Sequence, residues 1–283
     1  MRTVENTAVT WNAVMTGGKA EYGFRPGRAQ AVRRVTIPCE MVSKGNLILV
    51  NEKYPFCAET EEIQLASPFP KQPQHRMLWE ASSALQGLLR SLQAGSRIVG
   101  VSGFRSMEEQ ICIWNDSEKE NGLSFTRKFV AVPGHSEHQT GLAMDVALNQ
   151  KHIDFICPQF PYEGICQEFR ELAADYGFIE RYPAGKEAVT GIGAEPWHFR
   201  YVGIPHARIM KEHKMVLEEY TEWLKDFNLN SAPLRYWDEG KAFYIGWIPC
   251  EGKKAVEAVL PKHCRYVVSG NNVDGIIVTA AVI

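Results

Sequence analysis

No stretch of this chain approaches the length of an apolar membrane span, which argues against a transmembrane helix. The start, Met1 to Asn6, lacks the basic residues and apolar run of a secretory signal. The expected location is therefore the cytoplasm, the alternative being an exported or membrane-anchored protein whose signal segment this sequence does not carry. No basic tract with interleaved aromatics is present and the formal net charge is only -2, so nucleic acid is not an expected partner. No two cysteines have CxxC spacing, which disfavours a thiolate zinc site. The seven cysteines, Cys39, Cys57, Cys112, Cys157, Cys166, Cys250 and Cys264, are odd in number and irregularly spaced. They read as free thiols, with Cys250 and Cys264 the one pair placed to bridge strands of the tail. Internal repeats and low-complexity tracts are also missing, and no feature specifies an oligomeric state.

What is present is ordinary globular composition: 283 residues, 45% of them hydrophobic, enough for one catalytic domain with small additions. Residues 1–45 read as an N-terminal extension without clear periodicity. Asn46 to Asn51 looks like a strand entering the catalytic domain. Apolar residues from Met77 to Leu92 recur at helical spacing, predicting a helix over 74–93 that stops near Gly95. Arg97 to Ser102 reads as a buried strand. Ser106 with Glu109 forms a capping box that opens a helix running through Ile113 or beyond. Met144 to Leu148 predicts a core strand, Glu163 to Tyr176 a helix closed by Gly177, Trp197 to Val202 a strand, and Pro205 to Phe227 one long amphipathic helix. After a polar linker the tail is rich in aromatic and β-branched residues with regular turn signals. The expected division is an extension over 1–45, a catalytic domain over 46–228 and a small all-β appendage over 234–283. The expected fold class is α+β, a small antiparallel sheet flanked by helices.

Three short segments carry the chemistry. Gly134 to Asp145 supplies the imidazole of His138 and the carboxylate of Asp145, seven residues apart around Gly141. A loop running into a strand can present both. Glu195 to His198 supplies a second imidazole and a spare carboxylate. Two imidazoles and one carboxylate leave one position of a tetrahedral zinc ion open for water, as hydrolytic zinc requires. Glu195, left off the metal, can then act as general base on that water. Taken singly, each of these residues reads as well as a structural group; it is the combination that points to a metal site. Arg105 follows a predicted strand. It is either a solvated ion pair or a fixed cation that stabilises an oxyanion or holds a substrate carboxylate. Gln110, one turn into the next helix, is placed to add an amide contact. The hydroxyl of Ser136 serves substrate or its own turn equally well. His135 is close in sequence but is not read as a ligand.

Ser102 to Ser106, Pro133 to Asp145 and Glu195 to Gly203 together resemble the zinc D-alanyl-D-alanine carboxypeptidase family, the VanY and VanXY type. That family is related to the L,D-carboxypeptidases and allied to lysostaphin-type peptidases and the Hedgehog signalling domain. The resemblance covers roughly Asn46 to Lys225, and no catalytic position is missing. It implies zinc on His138, Asp145 and His198, with Glu195 as catalytic base and Arg105 on the substrate or oxyanion. It also implies Gln110 and Ser136 as substrate contacts. The implied activity is removal of the terminal D-Ala from peptidoglycan precursor peptides, the group that vancomycin binds, with D-Ala-D-Ala dipeptidase action as an extension. One alternative is an L,D-carboxypeptidase acting on tetrapeptide stems. The other is a non-catalytic, zinc-bearing peptide-binding protein, against which the presence of Glu195 argues.

Overall fold

The computed structural model describes residues 32–57 and 64–282. Most of the expected N-terminal extension, residues 1–31, lies outside the described residues. Strand β1 spans Val32–Pro38, and two short strands follow, β2 at Leu65–Ala66 and β3 at Met77–Leu78. The central part continues with α1 (Trp79–Ser91), β4 (Ile98–Ser102), α2 (Met107–Asn121), α3 (Leu123–Phe129), β5 (Ala143–Leu148), α4 (Gly164–Ala173) and β6 (Phe178–Tyr182). It closes with α5 (Glu187–Thr190), β7 (Glu195–Tyr201), α6 (His206–His213) and α7 (Leu217–Trp223). The tail holds β8 (Leu234–Asp238), β9 (Lys241–Pro249), β10 (Ala255–Pro261), β11 (Cys264–Gly270) and β12 (Gly275–Val282). Among the described residues no helix is long and apolar enough to cross a membrane.

The fold is α+β. The central sheet is antiparallel, in the order β4-β5-β7-β6. Alternation along β5 sends Met144 and Val146 into a core with Leu85 and Leu88 of α1 and Phe169 of α4, and leaves Asp145 for the opposite face. Phe199 of β7 joins that core, meeting Phe169 with ring centroids 4.8 Å apart, while His198 beside it is left for Asp145's face. The sheet thus buries one side against helices and lends the other to polar side chains.

A second antiparallel sheet, β11-β12-β9-β8, forms the all-β tail. It meets the central part through a core that unites Ile245 and Ile277 with Leu217, Tyr220 and Leu224. His206 bridges the two: its Nδ1 lies 2.7 Å from the Tyr220 hydroxyl and its Nε2 2.8 Å from the Thr279 hydroxyl. Strand β1, drawn from the segment assigned to the N-terminal extension, pairs along its whole length with β10.

Two elements depart from expectation. Asn46 to Asn51 forms no strand, although Leu47, Ile48, Leu49 and Val50 are buried. Its backbone groups are satisfied by side chains and the tail instead. Arg200 donates to the carbonyls of Asn46 and Ile48, Leu47 N–H donates to Ser269 Oγ, and Leu49 N–H donates to the Asn271 carbonyl. The long helix expected over 205–227 is broken into α6 and α7. Lys214 adopts the left-handed conformation that ends α6 at φ 52°, and Glu219 turns back to the Val216 N–H to open α7. All seven cysteines are free thiols, so Cys250 and Cys264 form no bridge.

Candidate metal centre

His138 sits in a tight turn between two glycines. Ser136 caps that turn, accepting from the His138 N–H, and Gly141 ends it at φ 71°, in the region that favours glycine. Leu142 then leads into β5, which delivers Asp145. Asp145 pairs across the sheet with His198 of β7. The three side chains offer donor atoms that all lie within 4.8 Å of one another, and all three are buried. His138 Nε2 is 3.1 Å from Asp145 Oδ2, and His198 Nδ1 is 3.0 Å from Asp145 Oδ1.

Strict alternation would put Glu195 and His198 on opposite faces of β7. The pairing with β6 shifts instead, from Glu180 opposite Phe199 to Tyr182 opposite Glu195. This irregularity in β7 turns Glu195 into the same cavity as His198, with its Oε2 3.5 Å from His198 Nδ1. Glu195 is buried and contacts the ligand set only at this longer distance.

The residues fit a bound metal. His138 Nδ1 donates to the Gly103 carbonyl at 2.7 Å, which leaves Nε2 bare toward the centre. Asp145 Oδ1 is buried without a hydrogen-bond donor. Nitrogen and oxygen ligands at about 2.0–2.2 Å from a tetrahedral zinc stand about 3.4 Å apart, near the separations found here.

The charges around the centre are uneven. Burial alone would raise the Asp145 carboxyl, but His138 and His198 hold it well below the usual carboxylate range. Burial and the Arg105 charge push His138 down to about 4, so it is a neutral imidazole at pH 7. Burial pushes Glu195 up to about 8 against the pull of His198, with the Asp145 charge adding to the rise.

Arg105 lies over the site from the strand-to-helix turn after β4. Its Nη2 donates to Asp145 Oδ2 at 3.0 Å, its Nε to Ser102 Oγ at 2.7 Å and its Nη1 to Gln110 Oε1 at 3.4 Å. Phe155 covers the guanidinium, 5.6 Å from the ring centroid. Gln110 is placed differently from expectation. It is fully buried, its amide NH2 donates to the Ala131 carbonyl at 2.8 Å, and it does not line the cleft. Its carbonyl oxygen steadies Arg105. Ser136 does line the cleft, whose walls include Phe129, Phe155, Ile156 and Trp197. His135 is not in the cluster, its Nδ1 lying 2.7 Å from the Asn51 carbonyl.

Residues 74–204 match the VanY family model, described as D-alanyl-D-alanine carboxypeptidase. The chain is 42% identical over 185 residues to the bifunctional D-Ala-D-Ala dipeptidase and D-Ala-D-Ala carboxypeptidase VanXYC of Enterococcus gallinarum, covering 63% of this chain and 94% of that protein. It is 32% identical over 265 residues to a D-alanyl-D-alanine carboxypeptidase of Enterococcus faecium, covering 89% of this chain and 80% of that one. The chain belongs to the VanY family of D-alanyl-D-alanine carboxypeptidases. Among solved structures, the vancomycin-resistance D,D-dipeptidase VanXYg, in complex with a D-Ala-D-Ala phosphinate analog, superposes with a TM-score of 0.84 at 43% identity. That match covers 89% of this chain and 99% of VanXYg, so it takes in the β tail as well as the central sheet. The LD-carboxypeptidase LdcB matches with a TM-score of 0.52 at 33% identity, over 62% of this chain.

Two residues of this VanY-family enzyme escape the sequence reading. Tyr182 packs against His198, ring centroids 4.9 Å apart, and lines the cleft from β6. Glu137, next to His138 in the chain, lies in the wall of the site behind His198. Glu137 was visible only as one position of the motif, and its partners are too distant in sequence to be read from it.

Proposed function

We propose that this enzyme hydrolyses the terminal D-Ala from peptidoglycan precursor peptides, using zinc held by His138, Asp145 and His198, and that free D-Ala-D-Ala is also a substrate. The observation that carries the reading is the convergence of those three side chains beside a buried carboxylate, Glu195, that stands off from them. Zinc bound there supplies Lewis-acid polarisation of the scissile carbonyl and of a water molecule.

The chain's own residues do the rest. His138 Nε2, His198 Nδ1 and Asp145 would hold the metal. Glu195 takes the proton of the attacking water at a carboxylate oxygen and delivers it to the amine of the departing D-Ala. Arg105, fixed by Ser102, Gln110 and Asp145, presents positive charge where the carbonyl oxygen becomes anionic. Ser136 contacts substrate from the cleft wall, and Gln110 acts through Arg105.

The D,D reading is favoured over the L,D alternative because the likeness to the D,D-dipeptidase VanXYg extends over more of the chain than that to LdcB. The same reading places the enzyme with soluble precursors in the cytoplasm, which cell fractionation tests. Incubation of purified, zinc-loaded protein with D-Ala-D-Ala, with a pentapeptide stem and with a tetrapeptide stem tests the activity. Release of alanine from the first two supports the proposal. Release from the tetrapeptide alone establishes the L,D alternative, and inertness on all three with zinc bound establishes a binding protein.

A further inference from the structure

Among the described residues, Glu137 is the acidic side chain at the metal centre with no part in the proposed chemistry. It is fully buried, and its Oε1 lies 2.7 Å from Arg181 Nε and 2.8 Å from Arg200 Nη1. Arg181 is clamped from the far side by both carboxylate oxygens of Glu218, at 2.8 and 2.7 Å. Arg200 is anchored by the carbonyls of Asn46 and Ile48. The second oxygen of Glu137, Oε2, has no hydrogen-bond partner, and neither has His198 Nε2. These two buried atoms face each other at 3.5 Å. Leaving both unsatisfied is costly, and a proton on Nε2 would satisfy them together once the pair closed to hydrogen-bond length.

We infer that Glu137 is a positioning residue that fixes the Nε2–H tautomer and ring orientation of His198, so that Nδ1 faces the metal. This rests on the zinc assignment proposed above. The two imidazoles of the site then present opposite nitrogens for the same reason. His138 gives up its Nδ1 proton position to the Gly103 carbonyl and ligates through Nε2. His198 gives up its Nε2 position to Glu137 and ligates through Nδ1. A carboxylate acceptor also makes the imidazole a stronger donor to metal than a carbonyl acceptor does. Arg181 and Arg200 hold the other oxygen of that acceptor. The contact from the ligand outward is therefore from His198 to Glu137, tying β7 to the His138 turn, while Glu218 of α7 braces only the far side of Arg181.

The test uses the full chain. Zinc dissociation constants are measured by competition with a chromophoric chelator for the parent, Glu137→Gln, Glu137→Asp, Glu218→Gln and His198→Ala. Side-chain ¹⁵N–¹H NMR of the zinc-loaded parent reports which nitrogen of His198 carries the proton. Glu137→Gln is expected to weaken zinc by about 10–100-fold, the usual scale for losing such an outer partner. Glu137→Asp keeps the charge for the arginines but withdraws the oxygen from His198, so it is expected to fold and still bind zinc more weakly. Glu218→Gln disturbs the same buried network away from His198 and is expected to lower stability while leaving zinc affinity close to the parent's. The parent is expected to show Nε2 protonated and Nδ1 ligated. The inference is overturned by Nδ1 protonated in the parent, by parental zinc affinity in both Glu137 variants, or by an equal loss in Glu218→Gln. If the parent binds no zinc, or His198→Ala binds it as the parent does, the metal assignment itself has failed, an outcome separate from these.

Discussion

Asp145 on β5 and His198 on β7 are direct cross-strand partners, and the Nδ1 of His198 stands 3.0 Å from Asp145 Oδ1. Two candidate ligands are thus held by the backbone hydrogen bonds of adjacent sheet strands, while the third, His138, comes from a turn capped at both ends. A metal site built this way would be preorganised, and removal of any one donor is expected to release the metal. His138→Ala, Asp145→Ala and His198→Ala are each expected to lose most of their zinc. Elemental analysis of the purified variants checks this, and full occupancy in any of them removes that residue from the ligand set. Chelator treatment of the parent is expected to abolish hydrolysis, with recovery on adding zinc back.

Glu195→Ala takes away the proposed proton carrier and leaves all three donors in place. It is expected to retain zinc and to lose turnover by about two to four orders of magnitude, the scale of general acid–base catalysis. Turnover near the parent's would assign the proton transfer to another group.

Arg105 is tied to Asp145, Ser102 and Gln110, so its aim is set before substrate arrives. Arg105→Ala is expected to lower kcat by about a hundredfold or more with KM little changed, as for removal of one oxyanion donor. Arg105→Lys keeps the charge without the planar fork and should recover only part of the loss. A rise in KM at constant kcat would mean that Arg105 holds a substrate carboxylate equally in ground and transition states. Gln110→Ala is expected to repeat the Arg105→Ala pattern in weaker form. An effect on KM alone would point to direct substrate contact.

His206 is buried between Tyr220 and Thr279, and burial pushes its pKa down to about 3. In the unfolded chain the same ring titrates near 6.5. Between those values the unfolded state binds a proton that the folded state refuses, so stability falls as pH drops from about 6.5 toward 3. The slope approaches about 1.4 kcal/mol per pH unit for this one group. Urea denaturation of the parent and of His206→Asn across that range checks it. The variant is expected to be less stable at pH 8 but to lose stability more slowly on acidification. Parallel profiles would exclude the ring as the source.

Gly103 has no room for a side chain: a Cβ there would lie 2.2 Å from the Arg76 carbonyl oxygen. Its own carbonyl accepts from His138 Nδ1. Gly103→Ala is therefore expected to cost about 1–3 kcal/mol of stability and to weaken zinc binding together, because relief of the clash moves the acceptor that orients His138. Loss of stability with zinc affinity intact would separate the two effects.

The residues that could be read from the sequence are those whose roles are set within a few neighbours. The capping box of Ser106 and Glu109 is local, and α2 begins where it dictates. The apolar run of β5 and the helical spacing of α1 follow from which side chains can face one core, and both elements form. His138, Asp145 and His198, which the structure brings together, could be named as candidate donors from short motifs because chemistry restricts a zinc set to a few side-chain types. Tertiary structure decided what depends on distant partners. Glu137 meets Arg181 44 positions later in the chain, and nothing in its own segment announces an arginine-paired, buried carboxylate. Gln110 donates to the Ala131 carbonyl, 21 positions away, and does not line the cleft. In Asn46 to Leu49 the carbonyls of Asn46 and Ile48 accept from Arg200 and the N–H groups of Leu47 and Leu49 donate to the tail, partners far along the chain. The break at Lys214 divided an amphipathic run whose hydrophobic pattern alone reads as continuous. Periodicity reports which face of a segment is buried; which distant group satisfies each buried polar atom is settled only when the chain has closed around it.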